Sequence, residues 1–148
     1  MNDALIRPMR EEDVAAIIAV EERAYYSPWT ETIFRDCLRV GYSCWVLERE
    51  AVILGYGVLS AAVGEAHLLN LCVAPEHQGQ GHGRRLLTHF IDVARGHRAE
   101  AMFLEVRPSN RAAIALYEST GFNQVGSRRD YYPAPKGRED ALIFALAL

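Results

Sequence analysis

The sequence predicts a single α/β domain: a mixed, mostly antiparallel sheet of about seven strands flanked by about four helices. Three observations lead there. Two amphipathic helical stretches open the chain, three β-rich runs joined by very short links follow, and strand and helix then alternate to the end. With 148 residues, 50% of them hydrophobic, the chain fits one domain over residues 1–148 and can bury a continuous core without metal or disulfide staples.

Residues Ala4 to Arg7 read as a short strand. Glu11 to Tyr25 follow as a helix, because Val14, Ile17, Ile18, Ala24 and Tyr25 recur near helical period. Ser27-Pro28-Trp29-Thr30 interrupts that pattern, and Thr30 is placed to cap a second helix carrying Ile33, Phe34 and Leu38. Cys44 to Glu48, Ile53 to Ala62 and Ala66 to Val73 are β-rich, and their short links imply an antiparallel meander. A helix then carries Leu86, Leu87, Phe90, Ile91 and Ala94 on one stripe and ends near Gly96. Met102 to Val106 is a strand and Arg111 to Thr120 a helix closed by Gly121. Phe122 to Arg128 and Ala141 to Leu146 are the last strands, joined by a surface loop over Pro133 to Arg138.

The formal charge of -3 provides no basic footprint for nucleic acid, and no segment reaches membrane-spanning length. Cys37, Cys44 and Cys72 are odd in number, lack metal spacing and sit among apolar residues. They read as buried reduced thiols of a cytoplasmic protein. The five histidines, His67, His77, His82, His89 and His97, are scattered without partners at ligand spacing, so no metal site is expected.

The apolar run Leu68 to Val73 leads through Ala74-Pro75-Glu76-His77 into Gln78-Gly79-Gln80-Gly81-His82-Gly83 and then a helix. Strand, glycine loop and helix start together make an anion site. Backbone N–H groups converge there, the first helical turn leaves donors unpaired, and the helix dipole adds positive charge. Arg84 and Arg85 stand next to it and can add charge-assisted contacts. This is not the dinucleotide fingerprint, whose third glycine would fall at Arg84, and no Gly-Lys-Ser/Thr follows as a nucleotide-triphosphate loop requires.

Glu105 lies near the end of a strand covered on both faces, where an unpaired carboxylate is costly. Either it pairs with a cation such as Arg107 or Arg129, or it faces a wet cleft and serves as a base. Asn110, Ala113, Ile114 and Tyr117 share one face of the next helix. Tyr117 is either a core aromatic or a phenol brought with Glu105 to one edge of the sheet, beside the glycine loop.

Gln78-x-x-Gly81-x-Gly83 after a strand resembles the pyrophosphate loop of the GNAT superfamily of N-acetyltransferases, and the order of elements resembles that family along nearly the whole chain. Further segments resemble its RimI-type branch, the ribosomal-protein-alanine N-acetyltransferases. These are Glu22-Arg23-Ala24 with Pro28-Trp29, Glu105 to Asn110, Ala112 to Glu118, Gly121-Phe122, Arg128 to Pro133 and Gly137 to Ala141. The resemblance implies a sheet splayed near its middle to hold acetyl-CoA. It implies cofactor contacts along Leu71, Cys72 and Val73, with backbone groups of Leu71 and Val73 pairing the pantetheine arm. The pyrophosphate would rest on Gln78, Gly79, Gln80, Gly81, His82, Gly83 and Arg84, and Asn110 would contact coenzyme A. It further implies Glu105 as general base, Tyr117 as general acid and the N-terminal alanine of small-subunit ribosomal protein eighteen as acceptor.

Those roles suit the chemistry. Acetyl transfer to an amine needs a neutral nucleophile, a polarised thioester carbonyl and a protonated leaving thiol. An α-amine, with an ordinary pKa of about 7.7–8.0, is partly neutral at cellular pH, so a modest base suffices. No cysteine stands in this constellation, which favours direct transfer over an acyl-enzyme route. Tyr25, Tyr26 and Trp29, and later Tyr131, Tyr132, Glu139 and Asp140, are either packing residues or walls of an acceptor groove. Glu21, Glu22 or Asp140 would meet the arginines of a basic acceptor. Acetylation of other N-termini, lysines or small amines, and acyl-CoA sensing without catalysis, are the competing functions; sensing needs neither Glu105 nor Tyr117.

Overall fold

The computed structural model describes residues 4–148. Strand β1 (Leu5–Pro8) leads into a short 3-10 turn (Glu11–Asp13) and helices α1 (Val14–Ala24) and α2 (Glu31–Arg39). The first turn of the expected Glu11–Tyr25 helix is thus 3-10, and Asp13 is spent elsewhere. It accepts the Arg10 backbone N–H at 2.8 Å and both Arg7 terminal nitrogens at 2.8 Å. Thr30 caps α2 as expected, its hydroxyl accepting from the Ile33 backbone.

The meander is β2 (Ser43–Arg49), β3 (Val52–Ala62) and β4 (Glu65–Val73). After a 3-10 turn at Pro75–His77 come α3 (His82–Gly96), β5 (Ala101–Val106), α4 (Arg111–Thr120), β6 (Asn123–Ala134) and β7 (Gly137–Ala147). The seven strands form one sheet in the order β1-β2-β3-β4-β5-β7-β6, antiparallel except at β4–β5. The last hairpin corrects the sequence reading. Both strands run on through the expected Pro133–Arg138 loop to a tight turn at Pro135-Lys136, with Gly137 at φ +100°.

Two apolar layers cover the sheet. Val14, Ile17, Val20 and Phe34 of α1 and α2 pack with Val46, Tyr56, Val58 and Cys72 on one face. Leu86, Leu87, Phe90 and Ile91 of α3, with Tyr117 of α4, pack with Leu47, Leu59, Leu68, Leu104 and Phe144 on the other. The three cysteines are free and buried, and no helix among the described residues is long and apolar enough to cross a membrane.

One irregularity shapes everything that follows. In β3–β4, Val58 pairs with Asn70 but Leu59 with Leu68, so Leu69 is an extra residue. Such a bulge bends a strand and shifts its two-residue alternation. Leu68 therefore belongs to the α3/α4 layer and Cys72 to the α1/α2 layer. Beyond the bulge β4 leaves β5: parallel pairing covers only Glu65–Leu68 with Ala101–Leu104. The rest of β4, and Glu105 with Val106 of β5, flank an open notch in the sheet.

Candidate active site

Along the open side of β4 the backbone is not idle. The Leu71 carbonyl accepts from the Tyr25 hydroxyl at 3.0 Å and the Val73 carbonyl from Gln78 Nε2 at 3.1 Å. A strand residue directs its N–H and C=O to the same side, so the Leu71 and Val73 N–H groups share this unpaired edge. An extended chain laid in the notch meets donors and acceptors at strand spacing.

The glycine loop closes one end of the notch. Gly79 and Gly81 adopt φ +77° and +85°, the left-handed region that favours glycine, and Gly81 is the N-cap of α3. Gly83 lies under α4, where an added Cβ would stand 3.3 Å from Leu116 Cδ2. These residues line a cavity of about 690 Å³ together with Leu71, Cys72, Val73, Gln78, His82, Arg84, Asn110 and Tyr117. Of the expected cofactor residues only Gln80 is absent from this lining; it is exposed at the loop's outer turn. Arg84 reaches across to Ser119 Oγ at 2.8 Å, which holds the guanidinium beside the loop. Burial, followed by the charges of Arg49, His77 and Arg85, lowers the His82 pKa, so this imidazole is neutral beside the loop at neutral pH.

A second cavity, of about 580 Å³, adjoins the first and is lined by Glu21, Trp29, Asn70, Glu105, Tyr131 and Tyr132 among others. Tyr25, Leu71, Arg107, Asn110 and Tyr117 line both cavities. Asn110 caps α4, its Oδ1 accepting from the Ala113 backbone at 3.2 Å. Seven positions on, Tyr117 is buried, its ring 5.7 Å from that of Phe122. Gly121 at φ +110° ends the helix directly after and holds this turn. The Tyr117 side chain opens onto both cavities. Burial foremost, and then Tyr132, raise its pKa well above the usual tyrosine range, so the phenol keeps its proton.

Glu105 lines the second cavity and is also ion-paired, so cleft and pairing are not exclusive as the sequence reading had them. Its partner is neither Arg107 nor Arg129 but Arg128, whose Nε lies 2.9 Å from Oε2. The register shift between Gln124 and Gly126 in β6 flips the alternation ahead of Arg128, which pairs with Ala141 and so shares the face of Glu105. The pair is close but not aligned, which leaves Oε2 buried without a hydrogen-bond donor. Arg128 is half-exposed and rests over the Tyr131 ring at 5.1 Å. Arg107 is used otherwise. It bonds the Pro133 carbonyl at 2.8 Å and Glu139 at 3.2 Å and lies 4.5 Å over the Tyr132 ring. Glu139, its pKa lowered chiefly by the Ser109 hydrogen bond, ties the β6–β7 hairpin to the start of α4.

Three further placements differ from the sequence reading or escape it. Glu21 cannot meet an acceptor's arginines, because it is 1% exposed and faces Tyr56, Trp29 and Asn70. Asp140 accepts the Asp130 backbone N–H at 2.9 Å and steadies the β6 bulge. Asn70 is a lining residue that strand alternation alone would have faced the other way. No group of three or more potential metal-ligating side chains occurs among the described residues.

The sheet is splayed between β4 and β5, the glycine loop starts α3, and Glu105 and Tyr117 line one cavity beside it. The family comparison agrees: residues 9–122 match the acetyltransferase (GNAT) family, and the chain belongs to it. It is 41% identical over 143 residues, 97% of each chain, to the [ribosomal protein bS18]-alanine N-acetyltransferase of Escherichia coli strain K12. It is 40% identical over 136 residues, 92% of each chain, to the protein of the same name from Salmonella typhimurium. The crystal structure of the Escherichia coli ribosomal-protein-S18-alanine N-acetyltransferase superposes with a TM-score of 0.91 at 40% identity, covering 97% of this chain and 93% of that one.

Proposed function

We propose that this chain is a cytoplasmic N-alpha-acetyltransferase that moves acetyl from acetyl-CoA to the N-terminal alanine of ribosomal protein bS18 by direct transfer. The observation that carries the reading is the wall common to the two cavities. Tyr117 lines both, and Glu105 lines the one away from the glycine loop. An acyl donor on the loop side and an amine on the other side meet at that wall. The length and coverage of the similarity to the two bS18-alanine enzymes support the choice of acceptor.

Coenzyme A supplies the activated acetyl group as a thioester. The residues present fit it: the loop Gln78–Arg84 offers backbone donors, a helix N-terminus and a guanidinium to phosphate, and the free edge at Leu71 and Val73 suits an amide-bearing arm. The Tyr25 hydroxyl and the Gln78 amide hold those carbonyls in its place and must yield them. Backbone N–H groups along Leu71 to Val73 would stabilise negative charge developing on the thioester carbonyl oxygen. Glu105 takes the proton from the incoming ammonium, directly or through a water, and Tyr117 gives its phenolic proton to the departing sulfur. The Tyr117 side chain opens onto both cavities and keeps its phenolic proton, which suits a donor. The hairpin, held by Arg107 and Glu139, supplies Tyr131, Tyr132 and Pro133 to the wall of the second cavity.

The test is release of free coenzyme A thiol when the protein is given acetyl-CoA and a peptide beginning with alanine. Peptide-dependent thiol release supports the reading; binding of acetyl-CoA without release would make the chain a sensor instead.

A further inference from the structure

Glu21 and Asn70 form a polar group under the second cavity, and the transfer chemistry uses neither. Glu21 is almost completely buried, and among the described residues no arginine, lysine or histidine forms an ion pair with it. Neutral donors hold it instead: the Tyr56 hydroxyl at 2.6 Å, the Trp29 backbone N–H at 3.0 Å, and Asn70 Nδ2 at 3.4 Å from each carboxylate oxygen. That last contact fixes the Asn70 side chain. Turning the amide over would set its oxygen against the carboxylate, so the nitrogen must face Glu21. Asn70 Oδ1 is thereby turned away, and it is shut off from solvent without a donor.

Two acceptors without a hydrogen-bond donor consequently belong to residues of one cavity wall: Asn70 Oδ1, and Glu105 Oε2 with its ion-pair partner Arg128. The Leu69 bulge places the first, immediately before Asn70, and the end of β4–β5 pairing frees the second. Such a wall complements a molecule bringing two N–H donors. A peptide N-terminus carries an amine and, one residue on, an amide N–H. A lysine side chain or simple amine carries methylenes there.

We propose that Asn70 Oδ1 accepts the first peptide N–H of the acceptor, and that Glu21 is the positioning residue that keeps this oxygen forward. The pair selects polypeptide N-termini over lysines and small amines. A site built to hydrogen-bond a group discriminates against analogues lacking it, because its buried acceptor is then left bare. This rests on the acetyltransferase reading above.

The test compares two acceptors of the same sequence, one an ordinary peptide and one with an ester oxygen replacing the N–H of its second residue. In the unaltered protein the ester is expected to lower kcat/KM roughly tenfold. In Asn70→Ala, shown to be folded by its melting curve, the difference between the two acceptors should shrink to about twofold. The KM for acetyl-CoA should stay within about twofold throughout. Glu21→Gln removes the charge that orients the amide and should narrow the discrimination in part. Equal ester penalties in the unaltered protein and Asn70→Ala would overturn the inference. So would the absence of any penalty in the unaltered protein, a result that needs no variant. Discrimination unchanged in Glu21→Gln would remove its positioning role. Failure to acetylate even the ordinary peptide would sink the acetyltransferase reading itself, a distinguishable result.

Discussion

Replacing Gly57 by alanine should lower stability by about 2 kcal/mol and raise the KM for acetyl-CoA. Gly57 sits in β3 between Trp45 of β2 and Leu71 of β4, under α3. A Cβ there would stand 2.5 and 2.8 Å from Phe90 Cε2 and Cζ, and 2.8 Å from the Asn70 carbonyl oxygen. The oxygen belongs to sheet backbone and cannot retreat, and Phe90 is 0% exposed, so the helix must lift. Overpacking of this kind costs about 1–3 kcal/mol, here toward the upper end because both sides are blocked. The loss of chain freedom on replacing glycine returns about 0.4–1 kcal/mol. With about 2–4 °C per kcal/mol for a chain of this size, the Tm should fall by about 4–8 °C. Differential scanning calorimetry measures this, with Gly96→Ala as control, since a Cβ at Gly96 meets nothing within 4 Å. The KM rises because α3 begins at the glycine loop proposed to hold the phosphates and moves with Phe90. A Gly57→Ala protein melting within about 1 °C of the parent, with unchanged KM, would refute the claim that this glycine seats the cofactor helix.

Further outcomes follow from the site and its supports. Glu105→Gln should lower kcat about a hundredfold or more, and move the pH dependence of kcat/KM to more alkaline values, where the amine loses its own proton; pH-rate profiles measure both. Tyr117→Phe should slow turnover by a similar factor while the Kd for coenzyme A, measured by calorimetry, changes little. The raised Tyr117 pKa also predicts no loss of kcat from phenol ionisation up to about pH 10. Arg7 holds the Asp13 carboxyl below the usual carboxylate range. The sign is that of a depressed acid: its contribution is present above the unfolded value of about 3.9 and is lost as pH falls through the folded value. Urea midpoints between pH 5 and 2 should therefore fall less steeply in Asp13→Asn, which forfeits about 1.5–3 kcal/mol at pH 7.

The pattern of elements was readable in the sequence because most of them rest on local signals. Thr30, Gly121 and the stripe Leu86–Ala94 are each sufficient to place a cap, a helix end and a buried face. The glycine loop was readable for the same reason: left-handed turns at Gly79 and Gly81 leave a compositional trace. What escaped depends on bulges. The extra residue at Leu69 reverses which face Asn70 takes, and the register shift between Gln124 and Gly126 puts Arg128 on Glu105 where Arg107 or Arg129 was expected. Neither bulge has a residue signature, since each arises from the fit of one strand to its neighbour. The buried Glu21 escaped because its exposure is set by Tyr56 and Asn70, distant in sequence. The extended β6–β7 hairpin was cut short by Pro133, which an edge strand tolerates.

The most direct measurement is mass spectrometric mapping of acetyl groups on a peptide that begins with alanine and carries a lysine further on, after incubation with the protein and acetyl-CoA. The account predicts one acetyl group, on the alanine α-amine, and a sharp fall in its yield with Glu105→Gln. Acetylation of the lysine with the α-amine left free, or an unchanged yield without the Glu105 carboxylate, would contradict it.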